Sequence, residues 1–140
     1  MAAVAAPMSS LGRAFSAGYV GGVFVQGRPA TLPVSLRGDV HYARFTGKND
    51  AVTPSYSVTQ ATGAVVYDFR AADGTKAPFF ATGGLGLYRT TVAGATQTDF
   101  GQNLGAGFHL RQAWGKPIIE GRFHFFNDVE YFALSLGFRR

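Results

Sequence analysis

The chain contains no cysteine. Disulfide staples, thiolate metal sites and a cysteine nucleophile are thereby excluded. Charge is scarce too: charged residues make up 15% of its 140 residues, against roughly 25% in an ordinary soluble domain. No apolar run approaches the roughly 18 residues of a membrane-spanning helix. A membrane-crossing reading must therefore use strands, because lipid tolerates only helices and closed barrels, whose backbone groups are all satisfied internally. Residues 1–7 lack the charged and apolar regions of a secretory signal. An exported protein with this start is expected to be a processed or truncated form.

The basic residues, which give a formal net charge of +5, are scattered singly (Arg13, Arg28, Arg37, Arg44, Lys48). There is no basic run or nucleic-acid motif, so no nucleic-acid partner is expected. Nothing resembles Gly-x-Ser-x-Gly. Gly83-Gly84-Leu85-Gly86 is followed by more strand rather than the helix a phosphate loop needs. No enzyme activity, catalytic residue, cofactor or small-molecule substrate is expected. His41, His109 and His124 fall on three separate segments without ligand spacing, so no metal site is expected either.

What the chain does have is glycine (19 residues), phenylalanine (13) and a period of two. Phe132, Leu134, Leu136 and Phe138 share one face of an extended strand, and Tyr131, Ala133, Ser135 and Gly137 the other. The pattern recurs over 15–28, 34–45, 56–69, 78–90, 99–111, 117–126 and 131–139, each bounded by Gly, Pro, Asn or Asp. These segments are long for soluble strands, which average about 5–6 residues, and suit tilted bilayer crossings of about 9–11. Seven strands leave an open edge. Residues 1–8, with Ala2, Val4, Ala6 and Met8 on one face, can supply a short or truncated eighth. The expectation is an all-β, up-and-down antiparallel transmembrane barrel, a single domain over residues 1–140.

Alternation alone does not say which face is outside. A soluble barrel holding an apolar ligand in its interior alternates too, and a narrow channel is a third possibility. The polar faces decide for an apolar exterior. They carry mostly small residues with a few charges of both signs, not the many Lys and Glu of a wetted surface. An eight-stranded barrel is only wide enough for side chains to fill, so these charges must pair. Segments 34–45 and 117–126 stand opposite each other and match level by level, Arg37 with Glu120 and Asp39 with Arg122. Asp68 is an alternative partner for Arg37, and Arg111 for Glu120. With His41, His109 and His124 they form the expected lumen network. Two aromatic girdles are expected at the membrane interfaces. Tyr19, Tyr42, Phe45, Phe100, Phe125 and Phe132 fall at one end, and Tyr67, Phe69, Phe79, Trp114 and Phe138 at the other. The same reckoning puts Phe15, Tyr88, Phe126 and Tyr131 at the first end, and takes 91–97 as a loop there.

The stretch Pro78-Phe79-Phe80-Ala81-Thr82-Gly83-Gly84-Leu85-Gly86-Leu87-Tyr88-Arg89 resembles a recurring strand of small bacterial outer-membrane barrels. So do Thr98-Asp99-Phe100-Gly101-Gln102-Asn103-Leu104-Gly105-Ala106-Gly107 and Glu120-Gly121-Arg122-Phe123-His124-Phe125-Phe126. With the closing strand, and from about Gly18 onwards, the chain resembles the opacity-type and OmpA-like families of eight-stranded barrels. The resemblance implies a non-enzymatic protein of a Gram-negative-type outer membrane, with a structural or membrane-integrity role. Its partners would be outer-membrane lipid and the barrel assembly machinery, which reads the last strand; a monomer is expected. The family's last strand usually ends on an aromatic residue, whereas Phe138 is followed here by Arg139 and Arg140.

Overall fold

The computed structural model describes residues 1–8, 13–48, 55–70, 76–110 and 116–139. Eight strands run in chain order: β1 (Ala2–Pro7), β2 (Gly18–Gly27), β3 (Ser35–Phe45), β4 (Tyr56–Arg70), β5 (Lys76–Val92), β6 (Ala95–His109), β7 (Lys116–Phe126) and β8 (Val129–Arg139). Each pairs antiparallel with its sequence neighbour. β1 also pairs with β8, from Ala2 opposite Leu136 to Pro7 opposite Tyr131, and closes the barrel. Closure leaves no sheet edge. Among the described residues no helix is long and apolar enough to cross a membrane.

The barrel has an upper end, at the β1–β2, β3–β4, β5–β6 and β7–β8 connections. Both ends of the described chain lie at the lower one. Alternation is strict: along β3 buried and exposed residues follow one another without a break from Ser35 to Phe45. The outward positions are mostly apolar. Val23, Val25, Leu85, Leu87, Leu104, Leu134 and Leu136 are each about half exposed or more. The buried set includes Arg37, Asp39, Gln60, Asn103, Glu120, Arg122 and His124. This molecule is inside-out relative to a water-soluble barrel.

Several expectations at strand ends are corrected. Phe15 lies outside β2 in an isolated bridge to Gly47. Residues 91–97 are not a loop: β5 and β6 pair up to Val92 opposite Ala95, leaving a two-residue turn at Ala93 and Gly94. Thr90, Thr91, Thr96 and Thr98 are β-branched, and β-branched residues extend strands. The turn has φ of 49° at Ala93 and 85° at Gly94, the backbone of a type I′ hairpin turn, whose twist matches the flanking strands.

Candidate functional site

The barrel interior is layered. Its middle layer is an ion cluster carried by β3 and β7, strands that stand four apart in a ring of eight. Arg37 and Asp39 sit two residues apart on β3, and Glu120 and Arg122 two apart on β7, so all four point inward. Arg37 donates through Nε to Asp39 Oδ1 at 2.7 Å and through Nη1 to Glu120 Oε2 at 2.6 Å. Arg122 donates through Nε to Glu120 Oε1 at 2.7 Å and through Nη1 to Asp39 Oδ2 at 3.3 Å. Each guanidinium thus bonds both carboxylates, in a closed ring of alternating charge that sums to zero. The four side chains are at most 4% exposed. Arginine suits the task, because its planar fork serves two acceptors at once and its long stem reaches across the lumen. The Phe24 ring lies 4.3 Å from the Arg37 guanidinium carbon and covers its other side.

Above the ions sits a layer of amides and imidazoles. Gln60 bonds His41 Nδ1 at 2.9 Å and accepts from the Tyr131 hydroxyl at 2.6 Å. His124 stacks on Tyr131 with centroids 4.5 Å apart and meets the Tyr88 hydroxyl at 3.1 Å. Asn103 donates to the same hydroxyl at 3.4 Å. Above these, Phe15, Phe45, Tyr56, Tyr88, Phe126 and Tyr131 pack as one buried cluster. Below the ions, Val66, Phe80 and Ile118 form a second, with Met1 and Phe24 against it. His109 and Asp68 pair at 3.0 Å towards the lower mouth.

Inward glycines make room for this filling. A Cβ at Gly101 would lie 2.5 Å from Phe126 Cβ and 2.8 Å from the Tyr88 ring. One void, beside His41, Arg122 and His124, measures about 20 Å³, room for a single water.

The sequence-derived network therefore divides. Arg37, Asp39, Glu120 and Arg122 come together, with His41 Nε2 3.8 Å from Asp39. His124 belongs to the layer above, beside Gln60, a lumen residue that the sequence reading did not name. Asp68 is not the partner of Arg37: it stands lower, on His109. Arg111 lies outside the described residues, as does Trp114.

The girdles need a sharper correction. Tyr19, Tyr42 and Phe100 at the upper end, and Tyr67, Phe69, Phe79 and Phe138 at the lower, are outward and exposed. Phe125 and Phe132 are outward and half-buried. Phe45 is not a girdle residue: it is fully buried in the lumen. Its odd number along β3 puts it on the face of Arg37 and Asp39, and parity outranks nearness to a strand end. Phe15, Tyr88, Phe126 and Tyr131 are buried likewise. Sequence reasoning missed this upper plug, although parity along β5, β7 and β8 carried the signal. Phe108, on the apolar face of its segment but not named among the girdle residues, packs on Phe79 with centroids 4.8 Å apart on the outer wall.

The chain shares its fold with Neisserial surface protein A (NspA). The crystal structure of that protein superposes with a TM-score of 0.66, over 96% of this chain and 89% of NspA, at 21% sequence identity. No protein-family model matches the sequence, and no curated protein matches it.

Proposed function

We propose that this chain is an integral outer-membrane β-barrel of a Gram-negative-type bacterium, with a structural or membrane-integrity role. It is a relative of the opacity-type and OmpA-like barrels, it works as a monomer, and it carries no enzymatic activity. The observation that supports this reading is the inside-out distribution of side chains: an apolar outer wall around a neutral, fully paired ion ring. In water such a wall would drive aggregation. In lipid it is the required exterior, and charged side chains there would be penalised. The likeness of fold to a bacterial surface protein supports the same reading. Insertion would use the barrel assembly machinery acting on the last strand, β8.

The ion ring and the aromatic layer argue for a lumen that conducts no ions, and the void of about 20 Å³ beside His41, Arg122 and His124 has room for a water but not for an apolar ligand. Three measurements test the proposal. The protein should need detergent to stay monodisperse and should migrate differently on gels before and after heating. In planar bilayers, insertion should produce no stepwise conductance. A detergent-free monodisperse monomer would refute the membrane reading, and regular conductance steps would refute the sealed lumen.

A further inference from the structure

The outer wall over β3–β6 sorts into bands when its outward side chains are followed along the register. Arg44 stands opposite Ser57, and Ser57 opposite Thr91. One step lower, Tyr42 faces Thr59, Thr59 faces Arg89, and Arg89 faces Thr98. The next step is wholly apolar: Val40 with Ala61, then Leu87 with Phe100. Cationic and hydroxyl side chains give way to an oily wall within one row. Beneath that row a groove of about 750 Å³ opens, lined in part by Leu36, Gly63, Val65, Gly83, Leu85 and Leu104. Outward glycines leave it open: a Cβ at Gly63 would meet nothing within 4 Å.

Arg44 and Arg89 are both exposed. Neither has a hydrogen-bond or ion-pair partner among the described residues. The acidic residues of these strands, Asp39, Asp68 and Asp99, all occupy inward positions. Two strand spacings and a two-residue offset separate the arginines, roughly 12 Å between Cα atoms. A phosphate placed between them is within reach of both. From Arg89 down to Leu85 in the groove is four residues, about 13 Å, a span that an acyl chain covers.

We propose that Arg44 and Arg89 clamp the phosphate of an anionic phospholipid, one acyl chain of which lies in the groove below. The proposal rests on the membrane-barrel reading above. Charge and shape agree on this occupant. A free phosphate would use the arginines and leave the groove empty. A second copy docked two-fold on this wall would bring like charges together.

The test uses the full chain in mild detergent. Native mass spectrometry compares retention of phosphatidylglycerol with that of zwitterionic phosphatidylcholine. Wild type should retain one phosphatidylglycerol in preference. Retention should fall about fivefold for each arginine removed in Arg44→Gln and Arg89→Gln, the weight of a surface cation near anionic lipid. Gly63→Leu, which fills the groove and leaves both arginines in place, should also lower it. The lower-end pair Arg28→Gln and Arg70→Gln should not. Undiminished retention in the Arg44/Arg89 double variant would overturn the clamp. So would an equal loss in the Arg28/Arg70 variant, or displacement by inorganic phosphate as effective as by added lipid. Heat-dependent gel mobility separates the two readings. A wild-type chain that never enters vesicles sinks both, whereas one that inserts and holds both lipids alike sinks the clamp alone.

Discussion

Glu120 is the residue on which the ion ring turns, since it accepts from Arg37 on one oxygen and from Arg122 on the other. Glu120→Ala leaves two buried guanidiniums sharing one carboxylate. Breaking a buried pair in this way costs about 3–5 kcal/mol. Urea unfolding of the inserted protein should show a loss of that size, while Lys48→Ala, at an exposed position where any pairing is a surface one, should lose no more than about 1 kcal/mol. The deficit should persist when salt is raised from about 0.1 to 1 M, because buried charges are screened little. Equal losses in the two variants would contradict the ring's role. Glycines supply a second contrast. Gly101→Ala pushes a methyl into Phe126 and Tyr88 and should cost about 1–3 kcal/mol. Gly63→Ala points into open space and should be neutral or stabilising by up to about 1 kcal/mol, through the unfolded chain. The inward set was legible at this scale because side chains on a regular strand alternate, so Arg37 and Glu120 had to meet once β3 and β7 were opposite. That each arginine serves both carboxylates was not legible. It depends on rotamers and on the barrel's width, which no spacing encodes.

Strands were more legible than their ends. The apolar/polar alternation identified every element, but Phe45, Tyr88 and Phe126 were assigned by nearness to a rim instead of by parity. The β5–β6 hairpin was cut short because its threonines and glycine read as loop. Its turn makes a local prediction. Ala93 holds a left-handed φ of 49°, which costs a residue with a Cβ about 1–2 kcal/mol. At the corresponding point of the β7–β8 turn, Asn127 holds the same φ, and asparagine tolerates that region. Ala93→Asn should therefore stabilise the barrel by up to about 1 kcal/mol, and Gly94→Ala should destabilise it by about 1 kcal/mol. Midpoints of urea denaturation would check both. A loss of stability on Ala93→Asn would mean that the turn is held by something other than its backbone preference.

At the scale of the whole molecule, the closed sheet explains why so few charges suffice. Every strand finds partners on both sides, the charged side chains of the middle layer pair with one another within, and the exterior is left free to be mostly apolar. The same division gives the barrel a stiff, filled core, with ion pairs spanning it between opposite strands, and limits chemistry with the surroundings to its rims and outer wall. The most direct test of that division is the environment of an outward position at mid-height. Leu134 on β8 is 53% exposed, its neighbour Ser135 is buried, and the natural Trp114 can be removed. Leu134→Trp in a Trp114→Phe background, folded into vesicles, should show blue-shifted emission that lipids brominated mid-chain quench strongly. Red-shifted emission, indifferent to brominated lipid, would place that face in water and contradict the account.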